Sequence, residues 1–170
     1  PLWIIKANKV SHNQKLKTIY FYDASLEILG VPAFYTPYIS IPDPSAKRAV
    51  GFLAPEFLSN SRLDFGVKLP FFIPLDVNKD ITFTPFITPQ TNTIETRYRQ
   101  AFSRGNLVVD SSLTRDDLDD KQLRGYLSIN GEFDLENGYT LNYEIERVSD
   151  SAYLGDYGYS ARNELSSGLN

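Results

Sequence analysis

The chain of 170 residues carries 17 basic and 21 acidic side chains, so its net charge of −4 excludes a nucleic-acid binder of the usual basic kind. It has no cysteine, which excludes disulfides and thiolate metal sites within the chain, and its single histidine argues against a multi-histidine zinc site. With 42% hydrophobic and 14% aromatic residues, it has enough apolar side chains to build a core.

Alternation of apolar and polar residues with a period of two runs through most of the chain, and no window keeps a helical period for long. No run of about 18 apolar residues predicts a transmembrane helix. The first block predicts compact strands at 2–8, 16–23, 25–29 and 33–41. Pro32, Pro37 and Pro42 lack an N–H to donate, which predicts edge or end positions for the strands that contain them.

The chain changes character near residues 42–62, where proline and charged residues predict a linker. Beyond it the predicted strands are longer and alternate more cleanly; they lie at 63–73, 80–89, 93–102, 106–113, 122–135 and 139–145. Asn137-Gly138 has the preferred residues for a two-residue type I′ turn between the last two strands. The sequence therefore predicts an antiparallel, all-β chain.

Alternation alone does not decide whether the apolar side of the later strands faces a protein core or lipid. A soluble lipid-binding β-sandwich or a lipocalin-like barrel is the alternative to a membrane sheet. The strands from residue 63 run roughly 8 to 14 residues, near the length that a tilted strand needs to cross a bilayer. Aromatic residues lie at strand ends, as an interfacial girdle requires; they are Phe71, Phe102, Phe133 and Tyr139.

About six strands follow residue 62, fewer than the roughly eight with which membrane barrels close. An open sheet edge in lipid leaves backbone groups unpaired, at a cost of several kcal/mol each. The membrane interpretation therefore predicts that this chain is part of a longer polypeptide.

Six short motifs occur in a specific order and spacing. They are Gly30-Val-Pro-Ala-Phe-Tyr-Thr-Pro-Tyr-Ile-Ser-Ile-Pro, Gly51-Phe-Leu-Ala-Pro, Leu69-Pro-Phe-Phe, Asp80-Ile-Thr-Phe-Thr-Pro, Arg97-Tyr-Arg and Val148-Ser-Asp-Ser-Ala-Tyr-Leu-Gly-Asp-Tyr. Together they resemble the LPS-assembly protein LptD family (also called OstA or Imp) of Gram-negative outer membranes, over nearly the whole chain.

The resemblance implies that residues 1–45 end a periplasmic β-jellyroll, that 46–61 are a linker, and that 62–170 begin a large outer-membrane β-barrel, incomplete here. It implies a translocon component that receives lipopolysaccharide (LPS) in the periplasm and inserts it into the outer leaflet through a lateral gate between the first and last barrel strands. The implied partners are LPS, the outer-membrane bilayer, the plug lipoprotein LptE and the periplasmic bridge protein LptA. No cofactor is implied.

Pro70 and Pro85 match prolines that the family has in its first two barrel strands. Because each proline removes a ladder hydrogen bond, we expect them to keep a gate separable; the alternative is that they only end strands at turns. The resemblance also implies that a set of charged side chains lines the barrel lumen; the alternative is that these charges only neutralise one another. They are Glu95, Arg97, Arg99, Arg124, Glu132 and Glu144. Candidates for a lipid groove, or for ordinary core packing, are Trp3, Ile5, Ile19, Phe21, Ile28 and Phe34.

Two carboxylate pairs, Glu132/Asp134 and Glu144/Glu146, share a strand face as the acids of glycosidases do. No nucleophile motif accompanies them, so the sequence predicts no catalytic residue and no metal site. If the first barrel strand leaves the periplasm, residues 149–163 fall on the periplasmic side, where barrel turns are usually short. The sequence offers no reason for so long a segment there.

Overall fold

The computed structural model describes residues 3–28, 30–43, 45–46, 48–60, 63–116, 123–159 and 168–169, with only the backbone described at Trp3, Ile28, Ala33, Asn60, Asp116 and residues 168–169. Across these residues the chain is nearly all β, as predicted, and contains one short helix. It divides into two compact units, Pro1–Leu53 and Ala54–Asn170. Among the described residues, no helix has the length and apolar character needed to span a membrane.

The first unit is an antiparallel sheet in the order β1-β2-β3. Its strands are β1 (Trp3–Asn13), β2 (Thr18–Ile28) and β3 (Val31–Pro42), and a two-residue strand β4 (Gly51–Phe52) follows. The prolines at 32, 37 and 42 all lie in β3, at an edge of this sheet, as predicted. An edge strand tolerates them because one side of its backbone has no ladder partner in the sheet.

The two strands predicted at 16–23 and 25–29 are a single strand, β2. Asp23 interrupts it with a positive φ of 48°. The residues on both sides of Asp23 nevertheless keep their register with β1, since Tyr22 pairs with Lys9 and Ala24 pairs with Ala7. The pairing on either side overrides the local break that the sequence pattern suggested.

The second unit is an open antiparallel sheet in the order β13-β12-β11-β10-β9-β8-β6-β5, with β7 also paired to β8. Its strands are β5 (Glu56–Asn60), β6 (Asp64–Lys68), β7 (Phe71–Asp76), β8 (Lys79–Ile87), β9 (Thr91–Phe102), β10 (Gly105–Asp116), β11 (Leu123–Asp134), β12 (Thr140–Val148) and β13 (Gly168–Leu169). Sequential hairpins from β8 to β12 give long ladders with continuous register. The predicted strands are recovered here, most of them with changed ends.

One predicted strand, 63–73, is divided by the structure into β6 and β7, which are separated by Leu69 and Pro70. Proline fixes φ and has no N–H, so it interrupts a regular ladder at this point. The turn predicted at Asn137-Gly138 has positive φ at both residues, 66° and 79°, as a type I′ turn requires. These two residues belong to one 3-10 turn, Glu136–Gly138, between β11 and β12.

Alternation gives the sheet from β8 to β12 an apolar face and a polar face. On the apolar face, large side chains on five neighbouring strands are 40–67% exposed. They are Ile87, Ile94, Leu113, Leu123 and Ile145. The hydrophobic cluster of buried residues lies on the other side of the sheet, because Phe86, which is 2% exposed, pairs with Thr93 of the polar face. Among the described residues, the apolar face of this sheet is therefore uncovered and the core lies on the polar side.

Candidate functional site

The candidate site is the polar face of the sheet from β8 to β12. The register of these strands brings all six side chains predicted to line a lumen onto this one face. Three of them lie on β9, two on β11 and one on β12; they are Glu95, Arg97, Arg99, Arg124, Glu132 and Glu144. Period-two alternation within each strand is sufficient to explain this grouping.

Most charges on the polar face are paired across neighbouring strands. The guanidinium of Arg97 binds Asp110 with two hydrogen bonds of 2.6 and 3.3 Å. Arg99 binds Asp80 in the same way, at 2.9 and 3.3 Å. Such two-bonded pairs match the planar guanidinium to the carboxylate, so each arginine charge is compensated on the neighbouring strand.

The segment 149–159, which we call the strap, follows β12 and folds back onto this polar face. It contains the helix α1 (Tyr153–Asp156). At its start, the carboxylate of Asp150 accepts the backbone N–H groups of Ala152 and Tyr153, at 3.1 and 3.0 Å, and so fixes the turn that leads into the helix. At its end, Gly158 has a φ of 72°, and the N–H of Tyr159 donates to the carbonyl of Leu154 at 2.9 Å. This is the Schellman ending, which favours glycine at the left-handed position.

Arg124 of β11 holds the strap by binding two carboxylates of the strap. Its side chain is 4% exposed and donates to both oxygens of Asp150, at 2.8 and 2.6 Å, and to Asp156 at 3.1 Å. The guanidinium also lies 5.1 Å from the ring centroid of Tyr153. Sequence analysis proposed Arg124 as a lumen residue and did not predict these partners.

Two tyrosines of the strap hydrogen-bond to the polar face. The Tyr153 hydroxyl is fully buried, donates to Ser112 at 3.1 Å and shares a hydrogen bond with the hydroxyl of Thr114. Tyr159 donates to Glu95 at 2.6 Å, and Lys68 contacts the same carboxylate oxygen at 2.6 Å. Burial raises the pKa of Tyr159, so its phenol stays protonated and donates. Residues 160–163 of the long segment considered above lie outside the described residues.

The pKa of Asp150 is lowered from its ordinary value of 3.8 to about 2, chiefly because Arg124 hydrogen-bonds its carboxylate. A carboxyl whose pKa is lower in the folded state contributes stability above its unfolded pKa, and this contribution is lost as the pH falls through the folded pKa. We therefore expect hydrogen-exchange protection of the Tyr153 amide, corrected for intrinsic rates, to fall between about pH 4 and pH 2. Asp150→Asn should be less protected at pH 6 and show no such step. An identical step in both proteins would contradict this assignment.

Pro70 lies between β6 and β7, and Pro85 lies within β8, opposite this interruption of the ladder. The N–H of Leu69 donates to the carbonyl of Pro85 at 3.1 Å, and Pro85 has no N–H to return the second bond of that pair. Pro70, the residue after Leu69, likewise has no N–H to donate, at the point where the chain passes from β6 to β7. The β9–β10 ladder, in contrast, runs unbroken from Phe102↔Gly105 to Thr91↔Asp116.

The six candidates for a lipid groove do not share one face of the first unit. Ile5 and Phe34 lie on one face, since both pair with Leu26. Ile19 and Phe21, an odd number of positions from Leu26, point to the other face of the same strand. Trp3 and Ile28 are opposite each other in register, and their side chains lie outside the described ones.

Three tyrosines that sequence analysis did not single out lie on the face that carries Ile5. The ring of Tyr38 is 5.9 Å from that of Tyr20 and 5.6 Å from that of Tyr22, between centroids. The ammonium of Lys9 lies 5.5 Å from the centroid of Tyr22. The two-residue spacing of Tyr20 and Tyr22 was a readable signal, because it places both on one strand face.

The chain is similar to curated LPS-assembly proteins named LptD. It is 29% identical over 158 residues to that of Francisella tularensis subsp. tularensis, which covers 91% of this chain and 18% of that protein. For Aliivibrio fischeri the identity is 27% over 161 residues, covering 93% and 20%. For Alkalilimnicola ehrlichii it is 34% over 148 residues, covering 83% and 19%. No family model matches, and the chain spans about a fifth of the length of these relatives.

Proposed function

We propose that this chain, which belongs to the LPS-assembly protein LptD family, takes part in lipopolysaccharide assembly at the Gram-negative outer membrane. Residues 1–45 would end a periplasmic jellyroll that receives LPS, and residues 62–170 would contribute the first strands of a barrel in the bilayer. By the same membership, its partners would be the bridge protein LptA and the plug lipoprotein LptE. The chain would transport LPS and catalyse no reaction.

The single observation that carries this proposal is the placement of the core. A soluble β-sandwich buries its apolar sheet faces against each other, because burial removes them from water. Here residues such as Ile87 and Leu123 are 60% and 67% exposed, while Tyr153 is buried on the polar side. Contact with hydrocarbon accounts for an uncovered apolar face on strands of this length.

A lateral gate requires one strand pair to separate more easily than the others. Pro85 leaves its pair with Leu69 one hydrogen bond short, and the adjacent Pro70 has no N–H to donate. We propose that these deficits lower the cost of opening the sheet beside its first strands, where the lipid would leave sideways. The polar saccharide would remain on the wet face as the acyl chains enter the bilayer.

Substituting both prolines tests the gate. In the full-length polypeptide, Pro70→Ala with Pro85→Ala restores two N–H groups, and each new hydrogen bond is worth about 0.5–1.5 kcal/mol. Arrival of pulse-labelled LPS at the cell surface should therefore slow roughly tenfold. The matched control, Pro32→Ala with Pro37→Ala, replaces two prolines of β3 and should leave that rate unchanged. Unchanged export in the Pro70/Pro85 variant would remove the gate from this proposal.

A further inference from the structure

The polar face has an open part beyond the strap, towards the ends of β10, β11 and β12. Five polar side chains line a cavity of about 310 Å³ there. They form what we call the amide–carboxylate patch: Asn106, Asn130, Glu132, Asn142 and Glu144. The register sets Asn106, Glu132 and Asn142 in one row across three strands. Asn130 and Glu144 oppose each other in the adjacent row.

The hydrogen-bonding groups of this patch are largely unused by the protein. Within the described part of the chain, neither Glu132 nor Glu144 has an ion-pair partner, and both are exposed. Asn106 and Asn142 are exposed as well, and Asn130 donates one bond, to Ser128 at 2.8 Å. Beyond the patch, Arg97, Arg99 and Arg124 each bind a carboxylate of the same face or of the strap. A ligand at the patch therefore finds donors and acceptors that these arginines do not occupy.

The charge of the patch restricts the chemistry of that ligand. Two carboxylates and no cationic side chain line the cavity, which disfavours phosphate and other anions. Amides donate and accept, while carboxylates accept from two donors at once, and both suit the adjacent hydroxyl groups of a sugar ring. Because the cavity is open and the amides are exposed to water, a sugar would bind weakly. Weak binding is what a transport surface requires, since a polymer that moves along it must also leave each site.

We propose that the amide–carboxylate patch is a contact site for uncharged sugar residues. This inference rests on the proposed function, because the sugars would belong to the saccharide of LPS moving along the polar face. The strap covers the other end of the same face, where Arg124, Tyr153 and Thr114 are buried. The sugar path is therefore displaced from the strap towards β10–β12, and it excludes the phosphorylated part of the molecule.

Photocrosslinking in living cells tests this site in the full-length polypeptide. p-Benzoylphenylalanine replaces Asn106 in one variant and Phe34, which is 56% exposed in the first unit, in another. Each is expressed in cells whose LPS carries a long neutral polysaccharide and in cells whose LPS ends at its phosphorylated inner core. We expect an LPS adduct at position 34 in both cells, and at position 106 only with the neutral polysaccharide.

A second comparison separates recognition from mere proximity. Glu132→Ala with Asn142→Ala should reduce the adduct at position 106 roughly fivefold, the loss expected for one or two hydrogen bonds, and leave the adduct at position 34 unchanged. The matched control changes exposed side chains elsewhere, Glu56→Ala with Asn92→Ala, and should alter neither adduct.

The outcomes separate this inference from the proposed function. The inference is overturned if the adduct at position 106 is equally strong in both cells, or if Glu132→Ala with Asn142→Ala does not reduce it. The patch would then lie near the LPS without recognising its sugars. A protein-sized adduct at position 106 overturns it in favour of a protein segment as occupant. In both cases the adduct at position 34 persists. Loss of LPS adducts at both positions would instead overturn the proposed function, and the inference with it.

Discussion

Replacing Arg124 by methionine is expected to release the strap and to lower the free energy of unfolding by about 3–5 kcal/mol. The substitution leaves Asp156, 5% exposed, as a buried carboxylate without its guanidinium partner. It also removes two hydrogen bonds to Asp150 and the stacking of the guanidinium on Tyr153. Urea titration of the full-length polypeptide in detergent measures the change, and limited proteolysis within residues 149–159 reports the strap itself.

Arg115→Met is the matched control, because Arg115 is an exposed arginine on the neighbouring strand β10. Its free energy of unfolding should change by less than about 0.5 kcal/mol. Adding Asp150→Asn and Asp156→Asn to Arg124→Met should recover part of the lost stability, since the carboxylates that have lost the guanidinium are then replaced by neutral amides. Equal stability of the two arginine variants would show that the buried ion cluster does not hold the strap.

Replacing Tyr153 by alanine is expected to cost about 3–5 kcal/mol, because a fully buried aromatic ring leaves a cavity between the strap and the sheet. Its ring packs against Tyr157, with centroids 4.7 Å apart, and beneath the guanidinium of Arg124. Tyr153→Phe keeps the ring and removes only the hydroxyl bonded to Ser112 and Thr114, so it should cost about 1–2 kcal/mol. The same urea titration distinguishes these two contributions.

Tyr139→Ala provides the control for tyrosine removal, because Tyr139 is 71% exposed after the β11–β12 turn. It should change the free energy of unfolding by less than about 0.5 kcal/mol. Similar losses for Tyr139→Ala and Tyr153→Ala would contradict the burial of Tyr153. A loss for Tyr153→Phe as large as that for Tyr153→Ala would instead assign the stability to the hydroxyl network.

The strands of the second unit were predictable because their information is local. Period-two alternation at 93–102 and 122–135 identifies β9 and β11 and also states which side chains share a face. The positive φ at Asn137 and Gly138 was predictable for the same reason, since a type I′ turn depends on its own two residues. The break at 69–70 was not predicted, because alternation runs through 63–73 and concealed the effect of Pro70 on the ladder.

The strap was not predictable from such patterns. Its helix has four residues, too few to show a 3.6-residue period, and its anchor Arg124 is distant along the chain from Asp156. Only the hairpin pairing of β10, β11 and β12 brings those groups together. The first unit illustrates a second limit, because a break predicted near residue 24 concealed that Phe21 and Leu26 lie on opposite faces of one strand.

By itself, the sequence determined the all-β class, most strand positions and the division of each strand into an apolar and a polar side, because these follow from neighbours a few residues apart. The tertiary structure alone decided which of the two sides is covered. It placed the strap and its buried tyrosines on the polar face and left the apolar face open. That choice depends on contacts between residues far apart in the chain, such as Tyr153 with Thr114, whose energies no local pattern encodes.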